Sequence, residues 1–401
     1  MWRAAQATLS LHSGPPVKLH RTLKGGAAVL AAASTATAGL ASGCSGLLGI
    51  AENIDYADAA PGEEGGGDGA FADHAPPPEG SIADCGPGNL GDPKNCGTCG
   101  HNCLGGYCNG NSCTPFMIGS AMIASDAAAP AIAADDASVY WVSQDPSSGQ
   151  EIVGQCPVDG IGICNQITAN SFPAATVDSI ATNGTMLALT VGGNDGLCLT
   201  YAGASLSCAA SYAAGTYRVA LEGTNTYSLT IGSPNAVSRI TLTDYLDAGF
   251  VPASAPLLAI AESLGQVYVL EKGAGVYVVD FAGGALVQKA PDPAMPASAD
   301  LAVTAAGFYW TSQTSVLTCP IPGCTMPSTV YSWHADGLAA DSRSLYFYYA
   351  QGGVFACDLP ACANFRMIGA SAPLGAPGQL AVSPASVFWI DAQGTVWQWV
   401  K

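Results

Sequence analysis

The chain has 401 residues, with 49 glycines, 26 prolines and a charged fraction of only 10%, a composition that suits many short strands and turns and not a helical protein. Its formal charge of −18 argues against nucleic acid, whose phosphates need Lys and Arg partners, and against adsorption to an anionic membrane face. Fifteen cysteines indicate an oxidising compartment.

Residues 1–43 read as a lipoprotein signal peptide. Lys18, Arg21 and Lys24 precede the weakly apolar run GGAAVLAAASTATAGL, which is too short and too rich in Ala, Gly and Thr for a membrane span. ASGC follows, Ala41 to Cys44. These residues resemble the lipobox of bacterial lipoproteins, in which cleavage precedes a cysteine whose thiol is diacylated. Ala41 stands where that family prefers Leu. The resemblance implies lipidation at Cys44 and attachment to a membrane through the lipid alone, since several acyl chains anchor firmly. Setting Cys44 aside also leaves an even number of cysteines to pair. Ordinary secretion with cleavage nearby is the alternative. The leader is long and holds Pro15 and Pro16, which a translation start at Val17 would explain. All 30 acidic residues lie beyond it, against eight remaining basic ones.

Residues 44–84 form an acidic Gly/Pro-rich tether. Between Ser45 and Asp84 there are nine acidic residues and no Lys or Arg, so the segment cannot bury enough apolar surface to fold. As a disordered coil it spans about 35 Å. Residues 85–114 follow as a cysteine-rich module with Cys85, Cys96, Cys99, Cys103, Cys108 and Cys113. Cys96-x2-Cys99 with His101 and Cys103 has spacing that could surround zinc. Six cysteines in an exported chain point instead to three disulfides and no metal, with the connectivity open. NCGTCGHNC and the trailing NGNSC resemble short cysteine-rich modules of exported myxobacterial proteins.

From Ile132 onward one pattern recurs. Copies begin at Ile132, Ile180, Val219, Ile260, Leu301, Leu338 and Leu380, each followed by a second run: VYWV, LALT, YSLT, VYVL, FYWT, LYFYY and VFWI. The mean period of about 41 residues, with four short strands per copy, predicts one propeller blade per repeat. The fold class is therefore all-β, a seven-bladed β-propeller with six or eight blades as alternatives, over residues 115–401. LAVTAAGFYWTS, LAADSRSLYFYY and LAVSPASVFWID resemble YWTD-like or NHL-like propeller repeats, a resemblance that implies fold and not receptor function. The last copy lacks a fourth strand, and Cys113-Thr-Pro-Phe116-Met-Ile-Gly119 parallels Cys362-Ala-Asn-Phe365-Arg-Met-Ile-Gly369. Residues 115–124 are thus expected to complete the last blade and remove a sheet edge.

Eight cysteines remain as local pairs: Cys156 with Cys164, Cys198 with Cys208, Cys319 with Cys324, and Cys357 with Cys362. All sit near the turn between third and fourth strands, where a bridge contributes about 2–3 kcal/mol.

No cofactor signature is present: no phosphate-binding Gly-rich loop with Lys-Ser or Lys-Thr, no His-Glu-x-x-His and no Gly-x-Ser-x-Gly. SWHADG, Ser332 to Gly337, falls between the fifth and sixth copies. Trp333 and His334 are candidate ligand-binding residues, and His334 with Asp336 is a weak catalytic candidate, an imidazole beside an acid. The competing reading is an exposed loop histidine beside a packing tryptophan. Streptogramin-type lyases use histidine on such a propeller, but no paired histidine-and-acid motif here matches them, so the likeness is one of fold. Asp135, Asp136, Asn183, Glu222, Glu262 and Asp341 follow the first strands around a ring, too spread for calcium and suited to satisfying turn backbone. The aromatic pairs of the second strands are expected in the core.

The reading is an exported lipoprotein of the cell envelope, periplasmic or surface-facing, that binds an envelope protein or polysaccharide through the propeller face without catalysis or cofactor. The alternatives are a lyase or hydrolase centred on His334 and a structural envelope protein.

Overall fold

The computed structural model describes residues 94, 96–97, 101–109, 111–121, 131–144, 151–159, 164–167, 177–191, 196–201, 207–209, 216–223, 225–230, 235–241, 247–293, 299–349, 352–370 and 380–401. The expected leader, Cys44, the tether, Cys85, Cys99 and residues 122–124 lie outside them.

The second strands of the repeats are largely buried. Gly307–Thr311 and Ser386–Ile390 are buried at every position, which a strand achieves only when sheets cover both its faces. Among the described residues, seven four-stranded antiparallel sheets provide that cover. Their inner strands are Ile132–Ala134, Val177–Thr182, Thr216–Glu222, Leu257–Ser263, Leu301–Thr304, Gly337–Ala340 and Leu380–Val382, taken below as belonging to sheets 1 to 7. Each inner strand lies against the next, and that of sheet 7 lies against that of sheet 1. Such a ring of radially packed sheets is a β-propeller. No described residue is helical.

Within sheets 1 to 6 the strands run from inner to outer in chain order; in sheet 7 the outer strand is Phe116–Ser120, paired antiparallel with Thr395–Val400. The large second-strand rings pack between sheets: Trp141, Trp310 and Trp389 are buried. At the turns after the inner strands, the side chains of Asp135, Asn183 and Asp341 each accept from two backbone N–H groups two and three residues on, which is how Asp and Asn stabilise turns.

Disulfides Cys156–Cys164, Cys319–Cys324 and Cys357–Cys362 close the turns between third and fourth strands. Cys198 is also disulfide-bonded, and Cys208 stands opposite it in register. In the N-terminal module Cys96 pairs with Cys108 and Cys103 with Cys113. The sulfurs of Cys96, Cys103 and Cys113 lie within 4.8 Å of one another, yet each is in a disulfide and offers no thiolate to a metal. This cluster packs on Val400 with Phe116 beside it, and the Trp399 indole Nε1 donates to the Cys113 carbonyl at 3.0 Å. The module is thereby bound to the sheet through which the ring closes.

Candidate binding face

The connection from sheet 5 to sheet 6 begins where the outer strand Ser328–Tyr331 ends and finishes at Gly337. Its five residues are pinned at the middle and at the far end. The Asp336 backbone N–H donates to the Tyr348 carbonyl at 2.8 Å, and His334 Nδ1 contacts the Ser312 carbonyl, in the turn between second and third strands of sheet 5, at 2.8 Å. A carbonyl can only accept, so Nδ1 carries the proton. The other ring nitrogen, Nε2, lies 3.4 Å from Asp336 Oδ1, a contact that attracts only when the imidazole is protonated as well there. Sheet 5 is tied to sheet 6 beneath the loop: Asp300 Oδ2 accepts from the Leu338 N–H at 3.2 Å, while its Oδ1 accepts from Leu301 N–H.

Ala335 is completely buried. Trp333 is 61% exposed. Its ring meets Tyr349 edge-on with centroids 6.3 Å apart and Tyr331 at 6.4 Å. Behind these the rings continue as a stack: Tyr331 lies 5.2 Å from Phe365, Phe365 5.1 Å from Phe355, and Phe355 5.2 Å from Tyr349. An exposed indole supported by packed rings has few rotamers left to lose on binding, which is why aromatic residues dominate recognition surfaces. Phe365 and Met367 on the outer strand of sheet 6 are also exposed, and they extend the apolar surface.

The electrostatics keep the phenols neutral. Burial raises the Tyr331 hydroxyl, and its neighbour Tyr349 adds to the shift. Tyr348 is raised well above the ordinary tyrosine value by burial, then by Asp300 and Asp336, with Arg218 opposing.

The structure therefore brings Trp333, His334 and Asp336 together on one short loop. The tryptophan, a packing residue in the competing reading of this loop, is the most exposed ring of the group. His334 contacts a carbonyl and a carboxylate, neither of which carries a proton for a base to remove. Asp178 and Arg218, on the inner strands of sheets 2 and 3, were not singled out by sequence.

No family model and no curated protein matches the chain. Solved structures do. A chain of the Mitotic Checkpoint Complex has a TM-score of 0.57 at 10% identity, covering 72% of this chain and 90% of that one. The WD40 domain of Toxoplasma gondii coronin has a TM-score of 0.53 at 10% identity, covering 71% and 83%. BamB from Moraxella catarrhalis aligns with a TM-score of 0.46 at 11% identity over 72% and 97%. At these identities the first two likenesses establish the β-propeller fold alone.

Proposed function

We propose that this chain is an exported, lipid-anchored protein of the bacterial envelope, carrying a seven-bladed propeller that binds a protein partner without catalysis. The observation that carries the binding reading is the exposed Trp333, held edge-on against Tyr349 and Tyr331 on the propeller surface. β-Propellers commonly act as interaction scaffolds, and rigid aromatic anchors supply most of the binding energy at such surfaces. The address rests on the ASGC sequence at Cys44, the acidic run after it, and the density of disulfides. A polysaccharide is the alternative ligand, for which an exposed indole is an equally suitable platform.

The test is capture from solubilised native envelope by the full oxidised chain, compared with its Trp333→Ala variant. A defined protein retained by the parent and lost from the variant supports the reading; a retained glycan supports the polysaccharide alternative. Equal retention by both would remove Trp333 from the binding face. Lipidation is read separately, as a mass increment on a peptide beginning at Cys44 in membrane-extracted protein.

A further inference from the structure

The inner strands of sheets 1 to 4 border a cavity of about 140 Å³ on the central axis. Cavities of about 150 Å³ hold a benzene-sized ligand. Its lining combines the apolar side chains of Ile132, Ile180, Val219 and Ile260 with two opposite charges, Asp178 and Arg218.

The backbone explains why Asp178 is there. In sheet 2, Val177 stands opposite Val191 and Ser179 opposite Thr190, so Asp178 is the extra residue of a β-bulge. Bulges re-aim a side chain out of the regular alternation. The bulge is held from both sides: Glu151 Oε2 accepts from the Val177 N–H, and Ser179 Oγ accepts from the Val219 N–H at 3.4 Å. Glu151 thus satisfies the backbone, and Asp178 is left over. Its Oδ2 is inaccessible to solvent and has no hydrogen-bond partner. A buried carboxylate oxygen without a donor is costly and needs a reason.

Arg218 does not supply that donor. It feels Asp178 electrostatically, yet among the described residues the ion pairs join other side chains. Two opposite charges face one small cavity with a gap between them.

We propose that this cavity binds a small α-amino acid as its zwitterion. The ligand carboxylate pairs with the Arg218 guanidinium, for which a planar bidentate contact is the preferred geometry. The ligand ammonium donates to the Asp178 carboxylate, which lines the cavity. A small aliphatic side chain lies against the isoleucine and valine wall. A carboxylate alone would leave Asp178 unpaired, and an amine alone would leave Arg218 unpaired. The proposal does not depend on the reading given to the aromatic face.

The test is isothermal titration calorimetry of the full oxidised chain at about pH 8, above the raised Asp178 value of about 6. The probes are glycine, L-alanine and L-valine, with isovalerate and isobutylamine as the valine analogues lacking one charge. At least one amino acid is expected to bind, and each single-charge analogue about tenfold or more weakly, the loss of one charge-assisted contact. Arg218→Met and Asp178→Asn should each weaken amino-acid binding by about the same factor. The proposal is overturned if no amino acid binds at about 10 mM, if isovalerate binds as tightly as L-valine, or if both variants bind like the parent. Should either variant fail to fold, the analogue series on the unaltered chain decides alone.

Discussion

The indole of Trp141 lies where a β-carbon on Gly119 would be: an ideal Cβ there would stand 2.8 Å from the ring. Trp389 stands in the same relation to Gly369, at 2.4 Å. In both cases the glycine closes a Met-Ile-Gly segment in the outer strand of one sheet, and the tryptophan belongs to the second strand of the next. The final glycine shared by Phe116-Met-Ile-Gly119 and Phe365-Arg-Met-Ile-Gly369 is therefore a seat for the neighbouring sheet's ring.

Replacing that glycine should wedge two sheets apart. Trp389 is completely buried and Trp141 nearly so, so neither ring can yield. Gly119→Ala and Gly369→Ala are each expected to destabilise the fold by about 1–3 kcal/mol, the usual cost of overpacking. Urea denaturation followed by tryptophan fluorescence measures it, and wild-type midpoints for both variants would show that the joint is soft.

These joints also show what the sequence can and cannot reveal. The repeat is legible because each second strand is buried on both faces, which forces runs such as FYWT and VFWI. The hairpin cysteines are legible because recurrence at one blade position implies one local role. In sheets 2 and 3 the runs LALT and YSLT fill the same space with Leu187, Leu189, Tyr227 and Leu229, so the burial remains while the aromatic signature fades. The cavity charges left no such trace. Asp178 owes its direction to one extra residue in a ladder, and a bulge has no composition of its own. Trp333 resembles any other core aromatic in the sequence, yet it lies in the loop beyond the strand that ends at Tyr331 and is exposed.

Acidic groups beside the cavity should make stability fall with rising pH. Burial lifts Glu151 to about 7, helped by Asp178 and opposed by its bond from Val177 N–H. Burial likewise lifts Asp178 to about 6, with Arg218 opposing. The folded chain therefore holds protons that the unfolded chain has already released, and this contribution declines as pH rises from about 4 to about 7. Thermal unfolding should give a higher Tm at about pH 5 than at about pH 8, and Glu151→Gln should flatten that dependence. An unchanged slope in the variant would assign it to other groups.

Lys401 supplies a last constraint, with the opposite sign. Its Nζ donates to Asp341 Oδ2 and to the Ser383 carbonyl, and it lies 5.4 Å from the centre of the Tyr346 ring. The two side chains are only 17% and 22% exposed. Burial alone would raise the Asp341 carboxyl, but the Lys401 ammonium together with the N–H groups of Arg343 and Ser344 holds it below the usual range. A depressed carboxyl stabilises the fold above its unfolded value, near pH 4, and the contribution is lost as pH falls through the folded value. Lys401→Met removes the ammonium and leaves a half-buried carboxylate facing the Tyr346 hydroxyl. At neutral pH this should cost about 1–3 kcal/mol. Near pH 3 the cost should shrink, because Asp341 takes up a proton and no longer needs a cation. Chemical denaturation of both proteins at the two pH values measures the difference; equal losses at both would mean that Lys401 acts through its aliphatic packing on Tyr346 and not through its charge.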